Sequence, residues 1–276
     1  MEQATPHDSQ VPRRAGDRPG DRLLLAGGLA VVVALFVLSP GSLLDKADHV
    51  GYAVCHQITV RSYFFGERQL PLCARCTGQY LGALLGLAVL VLLGRGRAGL
   101  LPPAGIALIL LGFLGIWAFD GLNSYMTLFP NGPHLYEPSN LLRVTTGGLQ
   151  GVALIALVLP FFNVSFWAKT APRRSVASLR EIALLLAVVA GIVLLVTSQV
   201  AALLYPLALL SVGGTLVMLT LVNTMIVALA LRRDGQVDGW RQALPLLVAG
   251  LAWGLVEVLA INLLRAYLTS ALGLPF

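Results

Sequence analysis

The residues best suited to chemistry in this chain are three cysteines, Cys55, Cys73 and Cys76, with His56 beside the first. Cys73-Ala-Arg-Cys76 is a C-x-x-C pair, a spacing that lets two thiolates grip one soft metal ion. Adding Cys55 and His56 gives three thiolates and one imidazole, a set that suits tetrahedral zinc. Adjacent Cys and His do not both ligate without local backbone distortion. That weakens the four-ligand set and leaves open three thiolates with a ligand from elsewhere. A second chemistry uses the pair as a redox dithiol. Cys73 and Cys76 precede an apolar run, and a helix amino terminus lowers a thiol's pKa. A membrane thiol–disulfide or quinone-linked oxidoreductase would use such a dithiol, but those enzymes usually carry a second cysteine pair. The plain alternative is cysteines that merely pack, or one structural disulfide. Three cysteines are too few, and odd in number, for a disulfide framework.

The segment that holds them must be positioned by its neighbours. Between His56 and Cys73, the stretch Tyr63-Phe-Phe-Gly66-Glu-Arg-Gln-Leu70 begins apolar and has a central glycine. A small hairpin or turn there would bring Cys55-His56 back to the pair. Segment 41–76 is otherwise read as a connection between two spans.

Those spans follow from composition. Of 276 residues, 57% are hydrophobic and 12% charged, with mean hydropathy +0.81. Soluble domains carry roughly 25% charged residues, so this chain cannot cover a water-facing surface. It reads as an all-α polytopic membrane bundle of about seven helices, because in lipid the backbone must satisfy its own hydrogen bonds. The expected spans are Leu23–Leu38 and then about 77–94, 100–122, 140–162, 180–203, 206–231 and 243–266. Residues 1–22, polar and rich in Pro, Gly, Asp and Arg, read as a disordered cytoplasmic tail. Residues 23–162 form a membrane domain with the cysteine loop, and 163–276 a further helical region. Leu23–Leu38 is read as an uncleaved span, since its polar leader is long and no A-x-A site follows. Ser178-Leu-Arg-Glu181 is a capping box. Tyr205-Pro206 is read as a very short join between spans five and six. Gly78, Gly82 and Gly86 make a small-residue stripe for close helix packing.

The net charge of +6 might suggest nucleic acid. The basic residues instead flank apolar runs, and thirteen of the 19 fall on alternate loops, which makes them topology signals. The expectation is a multi-pass inner or plasma membrane protein, in contact with the lipid bilayer, with a cytoplasmic amino terminus. Segment 41–76 then faces outside.

Charge at membrane depth costs ~2.5–3.5 kcal/mol per residue, so each polar group in a span needs a reason. Asp120 ends the run Ile-Trp-Ala-Phe119, and Arg143 lies one turn into span four. Topology puts both on the cysteine side, and an Asp120–Arg143 ion pair would relieve both costs. A polar pocket of Asp120, Asn123, Glu137, Asn140 and Arg143, with Thr77 and Gln79 from span two, is the functional reading. Helix capping by Glu137 and Asn140 is the simpler one. Glu257 in span seven is either a protonated buried carboxyl or a proton relay. A relay would suit a small-solute or proton-coupled transporter, though no pair of broken-helix repeats accompanies it. Walker, dinucleotide-binding, His-Glu-x-x-His and Gly-x-Ser-x-Gly signatures are absent.

The string Cys55-His-Gln, Arg61-Ser-Tyr-Phe-Phe, Arg68-Gln-Leu-Pro-Leu-Cys73-Ala-Arg-Cys76-Thr-Gly78 resembles a family of prokaryotic membrane proteins, domain-of-unknown-function family 2085. Phe119-Asp120-Gly121-Leu-Asn123 and Glu137-Pro-Ser-Asn140-Leu-Leu-Arg143-Val-Thr-Thr-Gly147 look like the rest of its pattern. Asn123-Ser124 departs from the Thr-Gln type of pair expected there. The resemblance covers about residues 50–160 and implies membership without an activity.

Overall fold

In the computed structural model, residues 19–129 and 132–272 are described. Most of the expected tail, through residue 18, lies outside the described residues. The chain is already helical from Pro19, so the first helix starts four residues before its apolar run. Asp21 explains the extension. It is buried, and its carboxylate accepts from Arg233 in the loop before the last helix.

Seven helices are long and apolar enough to cross a membrane. They are α1 (Pro19–Leu38), α3 (Ala74–Leu92), α4 (Ala104–Met126), α5 (Asn140–Phe166), α6 (Leu179–Thr197), α7 (Leu204–Ala230) and α8 (Trp240–Leu272). An eighth, α2 (Leu43–Val54), is too short to span. The connection expected over 41–76 is therefore helical at its start. Ser42 and Asp45 form a capping box, and Leu44, Ala47 and Gly51 bury one face. Four short strands complete the described residues. β1 (Phe64–Phe65) and β2 (Arg68–Gln69) pair antiparallel, and β3 (Ala98–Leu100) pairs in parallel with β4 (Ala171–Arg174).

The join between α6 and α7 differs from its expectation. It runs from Ser198 to Leu203 and includes a single 3₁₀ turn, Ala201–Leu203. Tyr205 and Pro206 belong to the first turn of α7. Proline is accepted there because the first N–H groups of a helix have no intrahelical partner. Ser178 does cap α6, accepting from the Glu181 N–H.

The bundle is organised around α3 and α5. Their glycines interlock: a Cβ on Gly78 would strike the Val144 carbonyl, and one on Gly151 would strike the Gln79 carbonyl. Backbone therefore lies against backbone, as small-residue helix interfaces in lipid require. Helices α6 and α7 also pack on α3, α4 on α5, and α8 on α7. Helix α1 packs mainly on α8 and is otherwise exposed.

Alternation of the spans collects α2, the β1–β2 hairpin, the start of α3, the end of α4 and the start of α5 at one end of the bundle. The basic loops lie at the other, tied together by β3–β4 and by a bridge between Trp167 and Val237.

Candidate functional site

The cysteine end is assembled by the hairpin. Helix α2 stops at Val54 because Cys55 turns extended, and Gln57 takes the left-handed conformation at φ 49°. That turn points the Gln57 N–H back at the Cys55 sulfur, at 3.4 Å. Gly66, at φ 67°, supplies the hairpin turn, and Leu70 N–H closes it on the Tyr63 carbonyl at 3.1 Å. The chain then re-enters beside its own start. Gln57 Nε2 donates to the Pro71 carbonyl, and the Cys73 N–H donates to the Cys55 sulfur at 3.3 Å. Cys73 caps α3, which places Cys76 one turn in.

The three sulfurs lie within 4.8 Å of one another. Cys55 is buried and the other two half-buried. They form a group of three close thiols that could hold a metal ion. The Cys73 thiol is held far below its ordinary range, first by hydrogen bonds from Cys55 and Cys76 and then by N–H groups at the start of α3. Cys55 is pushed up to about 11, mainly because it donates to Cys73.

His56 does not join them. It is exposed and is not one of the clustered ligand atoms. Because α2 ends in an extended residue, neighbouring side chains point to opposite sides. Cys55 faces inward and its neighbour outward, so the four-ligand set is corrected to three.

The ion pair is also corrected. Asp120 pairs with Arg75, the residue between the two cysteines, at 2.5 Å, and Arg143 does not pair with it. Asp120 also accepts from Tyr136 Oη at 2.7 Å and Thr146 Oγ1 at 3.2 Å. Its side chain is 3% exposed, so a carboxylate taken out of water has three donors around it. Arg143 instead donates to Ser124 Oγ and to Asn140 Oδ1. Arg61 reaches the same corner and donates to the Ser124 carbonyl at 2.8 Å. Burial and nearby Arg75 pull the Arg61 pKa down, and the Cys73 thiolate offsets part of that. Tyr136 is pushed up to about 12 by burial and by its bond to Asp120.

The other expected pocket residues divide. Asn140 Nδ2 donates to the carbonyls of Val60 and Ser62, which binds the cysteine loop to α5. Asn123 pins the loop between α4 and α5 through Leu135 N–H and the Tyr136 carbonyl. Thr77 is buried and donates to the Leu72 carbonyl. Gln79 contributes backbone to the α3–α5 interface. Glu137 is no lining residue: its side chain is 89% exposed and pairs with His134. Arg61 and Tyr136 were not singled out as pocket residues, yet both belong to the network.

Residues 55–157 match the family described as Predicted membrane protein (DUF2085). The match begins at the first cysteine and extends through the Gly147–Gly151 stripe, so it contains the thiols, Arg75, Asp120 and Arg143. Uncharacterized protein MJ1492 of Methanocaldococcus jannaschii is 28% identical over 116 residues, 42% of this chain and 68% of that protein. No solved structure matches.

Two features outside the matched segment bear on it. Arg265 of α8 donates to the carbonyls of Tyr52 and Cys55 and stacks on the Tyr52 ring, 3.8 Å to the centroid. Glu257, two turns earlier on α8, accepts from Asn223 Nδ2 at 2.8 Å and from Trp253 Nε1 at 2.9 Å. Those are two neutral donors on α7 and α8, apart from the Arg75–Asp120 network.

Proposed function

We propose that Cys55, Cys73 and Cys76 hold one divalent metal ion, with zinc preferred, beside an Arg–Asp pocket at one end of an integral membrane bundle. The observation that carries the reading is the sulfur triangle. Tetrahedral zinc with Zn–S near 2.3 Å holds its sulfurs about 3.8 Å apart. Three sulfurs already within 4.8 Å need only a small closure. The N–H groups of Gln57 and Cys73 are directed at the Cys55 sulfur and would support its thiolate once a metal displaces the proton.

Charge supports the same reading. In the buried network beside the thiols, Arg61, Arg75 and Arg143 face one carboxylate, Asp120, so positive charge is in local excess. Three thiolates around a divalent ion carry one net negative charge and would reduce that excess. Three protein ligands leave one coordination position open, the arrangement of sites that bind an exogenous ligand. Bound there, a zinc ion supplies a Lewis-acid position. The chain's own part is to fix the sulfurs, exclude lipid and present guanidinium donors. Arg75 Nε is buried without a partner among the described residues, which leaves a donor for an anionic ligand.

Elemental analysis of the purified protein tests the metal. About one equivalent of zinc is expected, lost in Cys73→Ser and Cys76→Ser and kept in His56→Ala. Less than half an equivalent of any metal, with the cysteine variants unchanged, ends the proposal.

One observation favours a second reading as a thiol–disulfide oxidoreductase: Cys73 stands at the start of α3, where backbone N–H groups lower a thiol's pKa. A metal-free protein in which Cys73 and Cys76 become resistant to thiol labelling under oxidising conditions would select it.

A further inference from the structure

A second site lies away from the cysteines, on the side of α2 that faces α1. Helices α1, α2, α7 and α8 enclose a groove of about 720 Å³, in the range of sites that hold small molecules and cofactors. Its walls are apolar, with Val33, Leu209 and Leu255 among them. The reason for a gap is visible in the packing. Helix α1 leans mainly on α8, and α2 bridges α7 and α8, so no side chains from a fourth partner fill the space between. Gly213 of α7 lines the groove, and a Cβ there would meet nothing within 4 Å.

Polar groups gather at one edge only. Lys46, His49 and Asn262 lie there, on α2 and the facing part of α8. Lys46 Nζ donates to the carbonyls of Phe36 and Ser39, at 2.5 Å each. The ammonium also lies over the Phe36 ring, 4.6 Å to its centroid, and no ion pair with a carboxylate is formed by it among the described residues. The His49 ring is exposed. Asn262 Oδ1 is buried without a hydrogen-bond partner among the described residues.

We infer that this groove holds one anionic phospholipid. An acyl chain would lie along Val33, Leu209, Gly213 and Leu255, with the phosphate at Lys46 and His49. An apolar gap at membrane depth fills with hydrocarbon, since water there would lack partners. Chain burial does not discriminate among lipids, because bilayer and groove are equally apolar. The head group does: a cation without a carboxylate partner favours a phosphodiester carrying net negative charge. The orphaned Asn262 oxygen calls for a hydroxyl donor, which the glycerol head group of phosphatidylglycerol supplies. None of this rests on metal at the cysteines, which do not line the groove.

The test uses the full chain in vesicles of equal phosphatidylglycerol and phosphatidylcholine, followed by native mass spectrometry of retained lipid. Wild-type protein is expected to keep phosphatidylglycerol about fivefold over phosphatidylcholine, the preference one cation near an anionic head group confers. Gly213→Phe, whose Cβ meets nothing within 4 Å, sets a ring in the groove and is expected to remove retained lipid of both kinds. Lys46→Gln keeps a lipid but loses the preference; should that variant fail to fold, Lys46→Met is read the same way. Equal retention of the two lipids by wild type, or undiminished lipid in Gly213→Phe at unchanged melting temperature, overturns the inference.

Discussion

Arg75 has two tasks set by one position. It stands between two cysteines at the start of α3, and its guanidinium crosses to Asp120 on α4. Because both partners are largely buried, removing one strands the other. Asp120→Ala or Arg75→Ala is expected to cost about 3–5 kcal/mol, and the double variant less than the sum of the two. Thermal unfolding in lipid nanodiscs measures all three; additive losses would deny the coupling. The sequence identified Asp120 as costly and assigned it the wrong arginine. Arg143 is at a suitable depth, but Ser124 and Asn140 occupy it, and sequence spacing does not report direction across an interface. The signal that could have found Arg75 is the same cost argument applied to the charge inside the C-x-x-C. His56 failed for a simpler reason: adjacent residues of an extended strand face opposite ways.

Among the elements, the α3–α5 interface was half legible. The stripe Gly78, Gly82 and Gly86 announces close packing, and the structure adds the partner and its own Gly147–Gly151 stripe. Gly151→Leu drives a side chain into the Gln79 carbonyl and is expected to abolish folded, monodisperse protein. Gly112→Ala on α4 meets nothing within 4 Å and is expected to leave the melting temperature unchanged or slightly raised. Chromatographic behaviour and melting of the two variants, side by side, check the contrast. Helix α2 was missed because an apolar window finds only spans. Its signals were local: a Ser42–Asp45 box and apolar residues at Leu44 and Ala47. The hairpin was legible from Gly66 flanked by apolar and polar residues. The α6–α7 join was misplaced because a proline marks a helix start as readily as a break.

For the molecule as a whole, hydropathy fixed seven crossings, and alternation then put every cysteine, Asp120 and Arg143 at one end. The distribution of Lys and Arg predicts that this end lies outside the cytoplasm. Val60, 79% exposed beside the cysteine loop, reports the orientation. A Val60→Cys protein is expected to react with an impermeant maleimide in intact cells, and an Arg173→Cys protein only after permeabilisation. The reverse pattern would turn the bundle over and move the thiols to a reducing compartment. Site chemistry was less legible than topology, because it depends on which side chains cross between helices that are far apart in the chain.

Helix α8 grips α2 twice within one turn, through Asn262 on the His49 carbonyl and Arg265 on those of Tyr52 and Cys55. The two residues act as adjacent rungs of a single latch. The first rung stands at the mouth of the apolar groove and the second at the root of the thiol turn. The lining of the groove and the backbone that carries Cys55 are thus fastened to the same turn of α8.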